Sequence, residues 1–159
     1  MRLQEAKSIA ERVRTTLLPH CERVEIAGSI RRGKPTVHDI DIVMVPKSGE
    51  ELVLNSVLCG IGAIEVDGPR LKRLRLPREN IAIDIYLATP ATWTALLLIR
   101  TGSAESNVRL SSLAKSKGWH LKASGEGLFD EEGNRIAGDT EESIFEALGI
   151  PYQEPHERG

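Results

Sequence analysis

None of the apolar runs in these 159 residues approaches the roughly 20 needed to cross a bilayer, so no membrane association is expected. Secretion is not expected either. The opening stretch MRLQEAKSIAERVRTTLL carries charges throughout, whereas a leader needs an uninterrupted apolar segment and a small-residue cleavage site. Cysteine is scarce: Cys21 and Cys59 have no second cysteine at chelating spacing and belong to no disulfide framework. Free thiols in a reducing compartment follow, which places the chain in the cytoplasm, or in a nucleus or virus if the source is not bacterial. His20, His38, His120 and His156 are scattered and read as surface residues. Repeats, low-complexity tracts and long linkers are absent, so two small units, if present, pack directly on each other. The net charge of −2 argues against bulk attraction to nucleic acid, although it leaves room for a local patch.

What is present is ordinary for a globular chain: 40% hydrophobic and 28% charged residues. Ala6, Ile9, Ala10, Val13 and Leu17 recur at helical spacing, predicting a helix over 3–18 that stops near Pro19. Val24–Ala27 reads as a strand, followed by the turn-rich basic loop Gly28–Pro35 and a second strand through Asp39–Val45. Ser48-Gly-Glu-Glu51 has a capping-box pattern opening a helix with Leu52, Val53 and Leu58. Residues 70–76 and 81–87 read as strands joined by a turn at Pro77–Asn80. Beyond Pro90 helices dominate, one through Trp93, Leu96 and Leu97 and one through Leu110, Leu113 and Ala114. A hairpin follows, Trp119–Lys122 against Leu128–Ile136, and then a short helix capped by Asp139–Glu142. The expected fold class is α+β, with a mixed sheet and flanking helices over 1–88 and a smaller α+β unit over 89–159.

Two features carry chemistry. The segment Arg70–Arg78 puts five cations in nine positions, which fits either a polyanion-facing side or an edge hairpin guarded by charge. The second is a matter of strand parity. Side chains two apart share a face, so Asp39 and Asp41 lie opposite Ile40, Ile42 and Met44, while Asp84 lies opposite Ile83 and Ile85. If these strands pair, three carboxylates converge, and each close pair repels by about 4 kcal/mol at 4 Å and an effective dielectric of 20. Hard divalent cations meet that need, and a pair of them is the standard device for in-line phosphoryl or nucleotidyl displacement. The alternative is that each Asp is separately solvated or paired with Arg31, Arg32 or Arg75.

Gly28-Ser29, Arg31-Arg32-Gly33 and Asp39-Ile-Asp41, with Asp84, Thr101-Gly-Ser103, Asn107 and the final Pro151-Tyr152, Glu154-Pro155 and Glu157-Arg158, together resemble the family X DNA polymerases, the polymerase beta-like group of nucleotidyltransferases. The resemblance spans the chain and implies a minimal palm–thumb form, with a palm over 1–88 and a thumb over 89–159. It implies that Asp39, Asp41 and Asp84 bind two Mg²⁺ ions, with Mn²⁺ as a substitute, and that Asp84 accepts the proton of the primer 3′-hydroxyl. Gly28, Ser29 and Arg32 would hold the triphosphate, with His38 touching it through its backbone. Gly102 and Asn107 would border the incoming nucleotide. Lys72, Arg73, Arg75 and Arg109 are the candidates for DNA phosphates. Taken singly, Gly28-Ser29 and Gly102 are equally turns and Asn107 a helix cap.

The implied activity is metal-dependent DNA synthesis on gapped or primer–template DNA from nucleoside triphosphates, in short-gap repair, by a monomer. The alternatives are a template-independent terminal or other nucleotidyltransferase, and a non-catalytic nucleic-acid-binding module. Departures from the family pattern fall at Ile99-Arg100, where an aromatic pair is usual, at Ala104, and at Ser111 in place of a thumb arginine. They bear on sugar discrimination and fidelity rather than on the chemistry. No lyase domain is expected in this chain.

Overall fold

The computed structural model describes residues 1–159. Helix α1 (Leu3–Leu17) buries Ala6, Ile9, Ala10, Val13 and Leu17, the stripe its spacing predicts. A short 3₁₀ turn at Leu18–His20, with Pro19 inside it, ends the helix and leads into β1 (Cys21–Ile26). A single turn of helix, α2 (Gly28–Arg31), then replaces the expected loop. It is followed by β2 (Asp39–Pro46), α3 (Glu51–Cys59), β3 (Ala63–Asp67), β4 (Leu71–Leu76) and β5 (Ile81–Leu87).

These five strands form one mixed sheet in the order β1-β2-β5-β4-β3. Strands β2 and β5 run parallel; every other neighbouring pair is antiparallel. A parallel pair needs a crossover rather than a hairpin, and here α3 with β3 and β4 supplies the intervening chain. The alternation predicted from sequence sorts the sheet's two faces. Ile40, Ile42, Met44, Ile81, Ile83 and Ile85 enter the main core with α1 and with Leu54 and Leu58 of α3. Val43 and Val45 point the other way and pack on Trp93, Leu96 and Leu97.

Those last residues belong to α4 (Trp93–Thr101), which is followed by α5 (Ala104–Ser116). A separate core gathers Leu98, Leu110, Leu128, Ile144 and Phe145. It is roofed by a three-stranded sheet, β6 (His120–Lys122), β7 (Gly127–Phe129) and β8 (Arg135–Ala137), and by α6 (Glu141–Ala147). Helix α6 begins with a true capping box, in which the Thr140 hydroxyl accepts from the Ser143 amide. The fold class is therefore α+β, as expected, with α4 covering only the far half of the sheet's second face.

Three further local readings differ. The Ser48–Glu51 capping box does not form: Glu50 is the N-cap without a side-chain bond, and Leu52 and Val53 face solvent while Leu54 and Leu58 are buried. The expected strand Leu128–Ile136 is two strands, because Asp130 accepts from the amides of Glu132 (2.9 Å) and Asn134 (2.8 Å) and folds the chain back on itself. Strand β3 had no sequence signal.

Candidate active site

Strand β2 leaves Asp39 and Asp41 on the half of the sheet face that α4 does not cover, and β5 adds Asp84. In the parallel register Asp41 sits directly opposite Asp84. The three residues are graded in exposure: Asp39 is exposed, Asp41 half-buried and Asp84 buried at 4%. Helix α2 forms the rim. The Ala27 amide donates to the Asp41 carbonyl at 2.8 Å and brings the next residue, Gly28, down onto the Asp41 side chain.

Gly28 is required there twice over. Its φ is +59°, and a Cβ at that position would lie 2.1 Å from Asp41 Oδ2. Gly28→Ala is thus expected to cost about 1–2 kcal/mol for the left-handed backbone and to push the Asp41 carboxylate aside. Because a displacement near 1 Å at a reacting centre costs on the order of 100-fold, any reaction that uses the Asp41 carboxylate should slow at least tenfold in a single-turnover measurement while the melting transition stays cooperative. An unchanged rate would show that Asp41 does not need its place beneath Gly28.

The electrostatics of the three carboxylates are uneven. Burial first, then the charges of Asp84 and Asp39, push Asp41 up to about 7, and Arg100 and Arg32 only partly oppose this. No cation touches Asp41. Arg32 instead donates to the Thr101 carbonyl at 2.6 Å, and the Arg100 guanidinium stacks 4.2 Å above the Tyr86 ring. Asp84, in contrast, is held by a fork: Arg73 Nε and Nη2 donate to its two oxygens at 2.7 and 2.9 Å. The partner of Asp84 is Arg73, not Arg31, Arg32 or Arg75, because Arg73 lies opposite Asp84 in the β4–β5 register. With Asp84 turned to Arg73, the carboxylates do not form a ready three-ligand cage. Their chemistry still suits a hard cation: oxygen donors only, on one face of neighbouring strands, with Asp41 pushed up by burial first and then by the charges of Asp84 and Asp39.

The other sequence candidates fall in two groups. Around the carboxylates stand Gly28, half-buried Ser29, Arg32 and Gly102, whose φ of +69° only glycine adopts readily and where a Cβ would meet Arg32 Nη1 at 3.2 Å. His38 is exposed just ahead of β2. Asn107 is neither the cap of α5, which is Ser103, nor free, since its amide donates to the Ile99 carbonyl at 2.8 Å. The basic strand splits by parity. Arg73 and Arg75 share the face of Asp84, but Lys72 points the other way and pairs with Asp67. Arg75 is engaged by Glu65 at 2.6 Å. Arg109 is exposed on α5. The sequence assigns no role to Tyr86, which shares the carboxylate face by parity, or to Glu141, which reaches α2 from more than a hundred residues away: Arg31 donates to its two oxygens at 2.9 and 2.8 Å. A cavity of about 590 Å³ bordered by Pro46, Arg70, Pro90 and Ser124 includes none of the three aspartates.

Comparison with known proteins bears on this arrangement directly. Residues 96–159 match the family model described as DNA polymerase beta thumb. DNA polymerase lambda of Arabidopsis thaliana is 30% identical over 197 residues, covering 98% of this chain and 35% of that protein. DNA polymerase lambda of Rattus norvegicus is 29% identical over 158 residues, covering 82% of this chain and 28% of its own length. Together these matches support a fragment of a family X DNA polymerase. The chain spans about a third of the length of the curated relatives it matches. The fold is similar to that of the solved Leishmania infantum polymerase beta in a ternary P/T complex, with a TM-score of 0.77 at 24% identity, covering 100% of this chain and 76% of that one.

Proposed function

We propose that this chain is a metal-dependent DNA polymerase that adds nucleotides from nucleoside triphosphates to a primer 3′-hydroxyl, in short gaps. The observation that carries the reading is the register of β2 and β5, which sets Asp41 beside Asp84 with Asp39 on the same face, under a Gly28 backbone that no side chain blocks. The names of the lambda and beta relatives point to the same activity. In this reading residues 1–88 are the palm and 89–159 the thumb. Two separate cores support the division, with α4 joined to the palm sheet through Val43, Val45 and Trp93.

Each group then has a task. Asp39, Asp41 and Asp84 would hold two Mg²⁺, or Mn²⁺ in their place, and Asp84 would take up the proton of the primer hydroxyl. Bound cations would supply the charge that lowers the hydroxyl pKa and offsets charge developing on the α-phosphate. Gly28 and Ser29 offer backbone amides to the triphosphate and Arg32 a planar donor fork. His38 borders the same phosphates through its backbone. Gly102 and Asn107 flank the nucleotide from the start of α5. DNA is the macromolecular partner, and the chain acts as a monomer away from membranes.

Extension of a labelled primer tests this, comparing a one-nucleotide gap, an open primer–template and a single strand, with each deoxy- and ribonucleotide. Templated incorporation on the gapped duplex supports the polymerase reading. Equal extension of the single strand would favour terminal transfer, and no extension with retained DNA binding would favour a binding module. The basic residues facing DNA have their own measure. Reversing Arg75 and Arg109 together (R75E/R109E) is expected to lower the slope of log K against log salt by about 0.9 for each phosphate that is no longer neutralised. An unchanged slope would leave Arg75 as a partner of Glu65 alone.

A further inference from the structure

Arg73 is the one cation in direct contact with the aspartate cluster, and the reaction just described leaves that contact unused. Its fork occupies both oxygens of Asp84, at 2.7 and 2.9 Å, from a neighbouring strand in register. A bidentate guanidinium on a buried carboxylate is a strong, geometrically fixed pair. The Asp84 side chain is 6% exposed and the Arg73 side chain 38%, so the arginine is the partner with room to leave. Asp39 and Asp41 have no such partner: the nearby Arg32 and Arg100 are engaged by the Thr101 carbonyl and the Tyr86 ring. A direct ion pair is therefore given to one aspartate of three.

We propose that Arg73 is an internal counter-ion that competes with divalent cations for Asp84, a positioning residue that makes cation binding at the site sequential. The proposal rests on reading the aspartates as cation ligands. Asp39 and Asp41 accept the first ion with no ion pair to break. Any ion that needs Asp84 must take an oxygen that Arg73 holds, and must do so beside a fixed positive charge that repels it. The second position fills only when the guanidinium swings outward. The bidentate fork makes this resistance specific to arginine, since a lysine offers a point charge without the planar match.

The test uses the full chain with Mn²⁺ as probe, titrated at pH 8 without nucleotide or DNA and followed by the paramagnetic resonance of the free ion. The wild type is expected to bind one ion well ahead of a second. Arg73→Met should bind the second at least tenfold more tightly, and Mn²⁺ should raise its melting temperature more than that of the wild type, because an uncompensated Asp84 gains most from a new partner. Arg73→Lys should lie between the two, about threefold tighter than wild type, and carries the test if the Met variant does not fold. Isotherms of the Arg73 variants that superimpose on the wild type, or that weaken, would overturn the proposal. Asp41→Asn separates the two ideas. If it binds Mn²⁺ as the wild type does, the aspartates are not cation ligands and the proposal falls with that reading. If it loses Mn²⁺ while Arg73→Met gains nothing, only the counter-ion role is refuted.

Discussion

Asp41→Asn is expected to make the protein more stable in chelator at pH 8 and, at the same time, to abolish primer extension. The two effects share one cause. Burial first, then the charges of Asp84 and Asp39, raise Asp41 in the folded protein to about 7, against 3.8 as an isolated group. A carboxylate raised in this way behaves opposite to an ion-paired one. Between the two values the folded state holds a proton that the unfolded chain releases, so stability falls as pH rises through that window. Each tenfold change in proton affinity is worth about 1.4 kcal/mol, which puts the penalty of carrying the charge at pH 8 on the order of 4 kcal/mol. Asparagine keeps the shape and removes the charge. Its melting temperature should exceed that of the wild type at pH 8 and approach it only below about pH 3, where Asp41 is protonated in both states. Mg²⁺ should raise the wild-type melting temperature and leave Asp41→Asn unmoved. Extension, measured as single-turnover incorporation, is expected to fall at least a thousandfold. A variant that melts with the wild type at pH 8, or that still extends primers, would remove Asp41 from the centre of the site.

Asp41 also shows what could be read before any coordinates. Parity alone sets Asp39, Asp41 and Asp84 against the core-facing isoleucines, and the sheet obeys it because a half-buried strand has only two faces to offer. Helix α1 was legible for the same reason: five buried residues recur at one spacing. Strand β3 was not. It is the sheet's edge, and four of its five residues are exposed, so no alternation marks it and only pairing with β4 makes it a strand. The Gly28–Arg31 turn of helix was hidden by its glycine and cations, which read as a loop; contact with Asp41 and Thr101 decides its conformation. The basic run Arg70–Arg78 taught the opposite lesson. As a string it is one patch, but pairing divides it among Asp67, Asp84 and Glu65, partners that depend on register and that composition cannot name.

The same dependence on distant partners produces the largest expected loss of stability, at Glu141. This carboxylate opens α6 and accepts from Arg31 of α2 at 2.9 and 2.8 Å and from Arg158 at 3.1 Å. Its side chain is 11% exposed and that of Arg158 1%. Arg158 in turn accepts, through its carbonyl, from the amide and hydroxyl of Ser103 beside Gly102, and its guanidinium lies against Phe145 and Tyr152. Glu141→Ala strands two cations, one of them fully buried, and removal of one partner from a buried pair costs about 3–5 kcal/mol. The damage should reach the chemistry as well, since Arg31 also donates to Thr101 and directly follows the Gly28–Ile30 turn over Asp41. Urea melts are expected to show the loss at pH 7, with a smaller one for Glu141→Gln, which keeps the acceptor oxygen. The pH dependence is specific. Burial pushes Glu141 up, but its bonds to Arg31 and the charges of Arg31 and Arg158 outweigh this and hold it below its ordinary value. Its contribution is therefore complete above the usual carboxylate range near pH 4.3 and is lost as pH falls through the lowered folded value. Glu141→Gln should flatten that acid limb. If its stability falls with acid as steeply as the wild type's, the Arg31–Glu141–Arg158 bridge does not join α2 to the C-terminal segment in solution.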